Sequence, residues 1–244
     1  MKIAHITDLH IADGLSKHFE INSIQNYENI ISDINSKNVD YIICTGDCGS
    51  LYGLQFIKSK LENNYDKIIY SLGNHDNPEE LIDVGLIDKN YERNKKIKFN
   101  DFVIIIFDTS NGVLAKNQYD WLVENIEQNK LNLVFTHYPL LNTSTKQIDF
   151  EIGLKNKEIF EEFFNQETNQ IHFFCGHYHK TDKISHNQIV QYICPSGLMQ
   201  IKEENGEIKT DSFNYGYNII EIIDNKINID TIIFNGFGKD NPWI

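Results

Sequence analysis

Three observations predict an α/β fold. Strand-length apolar runs alternate with helical patterns as far as residue 179. Five of those runs lead into Asp, Asn or His. Beyond residue 179 the pattern changes to strands alone. The five runs are Ile3–Thr7 before Asp8-Leu9-His10, Tyr41–Thr45 before Gly46-Asp47, and Lys67–Leu72 before Gly73-Asn74-His75-Asp76. Leu131–Thr136 precedes His137, and Ile171–Cys175 precedes Gly176-His177-Tyr178-His179. Turn chemistry explains Asp and Asn at such places, but it gives no reason to recruit histidines. The carboxyl ends of strands are where open α/β sheets bind their ligands.

The elements follow in order. After the first strand comes a loop through Asp13, Gly14 and His18. Ile24, Tyr27, Ile31 and Ile34 then recur at helical spacing, predicting a helix over Ile21–Ser36. Cys48–Gly53 reads as a glycine-containing loop, and Leu54–Leu61 as a second helix. Pro78 suits the first turn of a short helix to Val84, with Asn77 as its cap. Lys95–Phe99 and Phe102–Phe107 read as paired strands joined at Asn100-Asp101. A helix over Asn117–Asn129 places Trp121, Leu122, Val123 and Ile126 against a sheet, with Lys130 complementing its dipole. Pro139–Phe150 reads as a polar loop long enough to be functional, and Leu154–Phe164 as a helix. Lys183–Ser185, Gln188–Cys194, Tyr217–Ile223 and Ile227–Phe234 form an antiparallel set. The expected organisation is one domain over 1–235 and a short tail over 236–244, with Trp243 able to tuck onto the body.

Composition narrows the function classes. No apolar run reaches about 18 residues, which excludes a spanning helix. Lys2 is followed at once by a strand carrying His5 and Asp8, so the start is not that of a signal peptide, and a cytoplasmic location is expected. Cys44, Cys48, Cys175 and Cys194 form no CxxC pair; Cys44, Cys175 and Cys194 are read as buried free thiols, whereas Cys48 follows Asp47 and could face the site. The net charge of −13 argues against a dedicated nucleic-acid binder. It does not exclude a small phosphate substrate, because bound cations would reverse the local sign.

The strand-end residues suit a pair of cations. Asp8, His10, Asp47, Asn74, His137, His177 and His179 are the candidate ligands. A carboxylate is the natural bridge between ions roughly 3.5–4 Å apart. The mixed nitrogen and oxygen donors suit Fe, Mn, Zn or Co better than Ca or Mg. On an extended backbone the rings of His177 and His179 point the same way, and Asp8-Leu9-His10 follows the same alternation.

In this order, Asp-x-His, Gly-Asp, Gly-Asn-His-Asp, His and Gly-His-x-His resemble the motifs of the calcineurin-like metallophosphoesterases. The five-block combination spans residues 3–179 and is specific, although each block alone is weak. The likeness extends less specifically to Pro195-Ser196 and Tyr215-Gly216-Tyr217. Asp108-Thr109, Gln118 and Trp121-Leu122 resemble the bacterial branch that contains class III cyclic nucleotide phosphodiesterases.

The resemblance implies a four-layer αββα sandwich, with two mixed sheets between helical layers and the late strands completing the second sheet. It implies that Asp8, His10 and His179 hold a first ion, and Asn74, His137 and His177 a second, with Asp47 between them. It places His75 near the leaving-group oxygen, with Asp76 steadying its loop. The implied cofactors are two divalent or trivalent transition ions, Fe or Mn first, then Zn or Co. The implied reaction is in-line attack on phosphorus by a hydroxide formed between the ions. A phosphodiester such as a cyclic nucleotide or glycerophosphodiester is the expected substrate. Phosphomonoester hydrolysis, nuclease activity and a non-catalytic scaffold are the alternatives. The protein serine/threonine phosphatase branch is disfavoured by Cys48-Gly49-Ser50 after Asp47, and a lipid-A-type pyrophosphatase by His75 where that group carries Arg. A homo-oligomer is left open.

The remaining candidates have plainer readings. His5 and His172 lie inside strands and are read as core histidines, His186 as solvated, and Cys48 as a packing residue. His18 is a secondary candidate for the pocket rim. Asp149 and Glu151 are read as a solvated loop. Asp13 is read first as a turn residue, with orientation of a ligand histidine as the alternative.

Overall fold

The computed structural model describes residues 1–61 and 67–243. In chain order the elements are β1 (Lys2–Ile6), α1 (Gly14–His18), α2 (Ser23–Ser36), β2 (Tyr41–Cys44), α3 (Leu51–Lys60), β3 (Ile68–Tyr70) and α4 (Pro78–Val84). Then come β4 (Lys95–Lys98), β5 (Phe102–Ile106), α5 (Lys116–Asn125), β6 (Leu131–Phe135) and α6 (Lys146–Glu151). A 3-10 turn at Lys157–Phe160 leads into α7 (Glu161–Gln166) and β7 (Ile171–Cys175). The chain finishes with β8 (Asp182–His186), β9 (Ile189–Ile193), β10 (Gln200–Glu204), β11 (Glu207–Ser212), β12 (Tyr215–Ile223) and β13 (Lys226–Phe234).

Two mixed sheets carry the architecture. The first has the order β13-β12-β1-β2-β3, and the second β4-β5-β6-β7-β9-β8. The parallel β1, β2 and β3 occupy the first sheet, and the parallel β5, β6, β7 and β9 the second. Strand alternation produces the layers. Ala4 and Ile6 of β1 face outward onto α2, α3 and α4, with Ile30, Ile34, Leu54 and Leu81 in the same cluster. Ile3 and Ile43 face inward and meet Ile104, Leu133, Phe135 and Phe174 of the second sheet. The outer face of that sheet packs Val103, Val134 and Phe173 on Leu122, Phe160 and Phe164 of the second helical layer. The expected four-layer αββα sandwich is therefore the observed one.

His5 lies between the sheets as a core histidine. Its Nε2 is 2.9 Å from Thr45 Oγ1, and its ring meets Phe135 and Phe174 edge-on. Burial pushes its pKa down to about 3. His172 stacks on Tyr192, and burial pushes it down to about 4. His186 is exposed, as read from the sequence. All four cysteines are buried and free, and Cys48 packs against Cys44 at 3.7 Å between sulfurs.

Several element expectations need correction. Residues 14–18 are helical because Asp13 caps them, accepting from Ser16 N at 2.9 Å. α3 starts at Leu51, since the Ser50 hydroxyl caps Gly53 N; the predicted loop there is shorter. α5 stops at Asn125, where Ile126 turns extended, so Lys130 does not serve its dipole and instead donates to Phe99 O at 2.9 Å. α6 begins within the predicted 139–150 loop and ends at Glu151, and the predicted 154–164 helix is broken by Asn156 at φ 62°. The β10–β11 hairpin went unread, although Asn205-Gly206, both at positive φ, is a strong two-residue hairpin signal. The late strands divide between the sheets: β8 and β9 extend the second, while β12 pairs with β1 and β13 with β12 in the first. Ile244, the last residue of the predicted tail, lies outside the described residues.

Candidate metal centre

The sheets place the candidate ligands. Asp8 and His10 follow β1, Asp47 follows β2, and Asn74, His75 and Asp76 follow β3. His137 follows β6, and His177 and His179 follow β7. The two sheets meet with these ends together. Asp8, His10 and His179 present ligand atoms within 4.8 Å of one another, and so do Asp47, His137 and His177.

The predicted extended backbone at these ligands is not what forms. Asp8, His10, Asp47, His177 and His179 all have left-handed φ, between 42° and 65°. Such a conformation is costly for residues other than glycine and persists only where the surroundings enforce it. Backbone bonds supply the enforcement. Asp8 N, His10 N and Ile11 N donate to Gly46 O, Asp47 O and Cys48 O at 2.9–3.0 Å, lacing the first two ligand loops together. Gly46 stands at φ 97°, and a Cβ there would meet Gly73 N at 2.1 Å, so only glycine lets the third loop approach. His177 and His179 fall into different groups, in line with the division that the resemblance implies.

Asp47 stands between the groups. Its Oδ2 lies 3.7 Å from His10 Nε2 and 3.4 Å from His137 Nε2. Its Oδ1 accepts from His75 N at 2.9 Å. Asp76 accepts from the backbone N–H groups of Asp47, Cys48 and Gly73, each at 2.8 Å, and so ties the second and third ligand loops together. Asn74 Oδ1 lies 2.9 Å from His137 Nε2. His75 is exposed, with its ring 5.4 Å from that of His10.

The distal nitrogens of three histidines are engaged, which turns the other nitrogen inward. His10 Nδ1 donates to Asp13 at 2.6 Å, His137 Nδ1 to Thr45 O at 2.7 Å, and His177 Nε2 to Ile152 O at 2.7 Å. Asp8 Oδ2 accepts from Thr7 Oγ1 and His177 N, both at 2.9 Å. Asp8 Oδ1, His10 Nε2 and His179 Nδ1 are buried without a hydrogen-bond partner. Unpartnered buried polar atoms are costly unless something binds them. Two histidine nitrogens and a carboxylate oxygen fit a transition-metal cation.

Electrostatics agree with that fit. Burial pulls the His10 imidazolium down, but the Asp13 bond and the charges of Asp47 and Asp8 outweigh it and hold its pKa up at about 9. For His137 burial is likewise outweighed, by Asp47 and then Asp8, giving about 10. Burial and the neighbouring His137 push His177 down to about 3; burial and His10 push His179 well below the ordinary value. Burial raises Asp8, whereas at Asp47 the charge of His137 overcomes burial and lowers the pKa. Only neutral imidazole binds a cation, so ligation by His10 and His137 would expel the protons they hold. At pH 7 we expect release of about two protons per chain, and affinity that rises towards pH 9–10. Calorimetry in buffers of different ionisation enthalpy measures this; absence of proton release contradicts ligation by His10 and His137.

The sequence undervalued three residues. Asp13 does orient His10, through an i,i+3 carboxylate that also reads as an ordinary helix cap. Asp149 is not solvated: it accepts from Tyr178 Oη at 2.8 Å, from Thr143, and from Lys157 at 3.1 Å, bracing the residue between two candidate ligands. Its position in a polar stretch gave no signal. Asp108 is buried, paired with Arg93 at 2.9 Å, and its carbonyl accepts from Gln118. His18 packs on Phe19 and donates to Pro242 O, which identifies its contact as the tail.

Comparison with known proteins bears on this geometry. The family model for calcineurin-like phosphoesterases matches residues 1–181. A probable cyclic nucleotide phosphodiesterase of Colwellia psychrerythraea is 27% identical over 94% of each chain. Another from Vesicomyosocius okutanii is 25% identical over 91% of this chain and 94% of its own. Among solved structures, a dimetal phosphatase from Danio rerio superposes with a TM-score of 0.71 over 98% of both chains, at 10% identity. That likeness concerns the fold. With the family match covering all the strand-end histidines, this chain belongs to the calcineurin-like phosphoesterases, metal-dependent hydrolases that act on phosphoesters.

Proposed function

We propose that this chain hydrolyses a phosphodiester, with a cyclic nucleotide the first candidate, using two transition cations held by Asp8, His10, Asp47, Asn74, His137, His177 and His179. The observation that carries the reading is Asp47 Oδ2, which lies within 3.7 Å of a histidine nitrogen from each of the two groups. A single oxygen so placed suits a bridging ligand. Fe and Mn suit the mixed donor set, with Zn and Co next. When bound, such cations supply Lewis acidity: they activate water and neutralise charge on phosphoryl oxygens.

The chain's own residues do the rest. Asp76 and the glycine-mediated loop contacts hold the ligands so that little rearrangement accompanies charge development. His75 is the proton donor to the departing oxygen: it is exposed, its backbone is fixed on Asp47, and its ring is free to reach substrate. The names of the relatives that align over almost the whole chain support a diester over a monoester. The acidic balance, −13, supports a small substrate over a nucleic acid. No described helix is long and apolar enough to cross a membrane.

The test is hydrolysis of bis-p-nitrophenyl phosphate by protein reconstituted with Mn²⁺. The expected result is turnover that a chelator abolishes and added Mn²⁺ restores. Inactivity with Mn²⁺, Fe²⁺, Zn²⁺ and Co²⁺ alike refutes the assignment and favours a binding scaffold. A parallel screen of cyclic nucleotides, glycerophosphodiesters and phosphomonoesters selects the substrate class.

A further inference from the structure

α1 spans five residues, far short of the length at which a helix stands alone in water. Its cap, Asp13, has two engagements. Oδ1 accepts from Ser16 N at 2.9 Å, and Oδ2 takes the Nδ1 proton of His10 at 2.6 Å. The orientation of His10 therefore depends on a helix that needs support from elsewhere.

That support comes from the far end of the chain. Lys239 N donates to Phe19 O at 2.7 Å, and Asn241 Nδ2 to His18 O at 2.6 Å. His18 Nε2 donates to Pro242 O at 2.7 Å, and the Trp243 ring lies 5.1 Å from that of Phe19. All four contacts fall on the last residue of α1 and the residue after it. Phe19 is fully buried in the cluster that also contains Tyr178, the residue between His177 and His179. Support for α1 and for the β7 ligand loop thus converges on one apolar cluster.

We propose that residues 236–243 act as a strap that holds α1 and, through Asp13, the ring of His10. Docking of the strap then sets the cation affinity of the Asp8, His10 and His179 group. Asp13 and the strap are positioning elements, and the proposal rests on the metal-centre reading above. Linkage makes the effect reciprocal: a cation in that group favours the docked strap.

Equilibrium dialysis of metal-stripped protein against Mn²⁺, with elemental analysis, tests it. Wild type is expected to take up two equivalents. Asp13→Asn keeps an acceptor for Ser16 N but removes the carboxylate from His10. It should weaken one equivalent by about 10–100-fold and leave the other unchanged. Removal of residues 237–244 should weaken the same single equivalent. Unchanged binding of both equivalents in the shortened chain, or equal weakening of both, overturns the strap. A wild-type chain that binds no Mn²⁺ overturns the metal centre itself, so the two failures are distinguishable. A second measurement uses the intact protein, guarding against misfolding of the shortened one. Phe237 is 86% exposed, so chymotrypsin can cut the strap there. Saturating Mn²⁺ should slow that cut about fivefold or more, read by mass of the released fragment; an equal rate with and without Mn²⁺ overturns the coupling.

Discussion

Asp47→Ala is expected to lose at least one of the two cations and to reduce turnover by more than about a thousandfold, at or beyond the upper end for one electrostatic group. Oδ2 lies between His10 Nε2 and His137 Nε2, so one side chain serves both groups. Its loss also removes the largest charge that offsets burial at His137, so the pKa of that imidazole should fall. A further consequence is structural: Oδ1 anchors His75 N, and that bond disappears too. Elemental analysis of the purified variant gives the metal count directly. Full retention of both equivalents would remove Asp47 from the ligand set.

His75→Ala should behave in the opposite way. Its backbone N–H, which bonds Asp47, survives the substitution, and its ring is absent from both ligand groups. Both cations should therefore remain, while turnover falls by about 10²–10⁴-fold, the range for a proton-transferring side chain. The loss should be larger for a poor leaving group, such as a sugar hydroxyl, than for p-nitrophenol, which departs without a proton. Metal loss in His75→Ala, or equal losses for both leaving groups, contradicts a proton-donor role.

Much of this site was legible in the sequence because its residues follow strands. A buried parallel strand is a short apolar run, and whatever follows it stands at the sheet's carboxyl edge. Asp8, Asp47, His137 and His177 could be found that way without any coordinates. The backbone that aims them could not. Left-handed φ at Asp8, His10, Asp47, His177 and His179 arises from bonds between loops distant in sequence. Period-two alternation, the local rule, therefore does not describe the backbone at His177 and His179. The same division holds for helices. α4 was read correctly because Asn77 and Pro78 are adjacent start signals. α6 and the break at Asn156 were missed because tertiary contacts, such as Asp149 with Tyr178, fix them. Asp13 shows the limit most clearly: a cap and a histidine orienter look alike in sequence, and here one carboxylate is both.

Anomalous diffraction from crystals soaked in Mn²⁺ most directly tests whether two cations sit where the strand ends converge. Two peaks are expected, roughly 3.5–4 Å apart. One should lie against Asp8, His10 and His179, the other against Asn74, His137 and His177, with Asp47 touching both. A single peak, or peaks away from these side chains, would contradict the two-cation account.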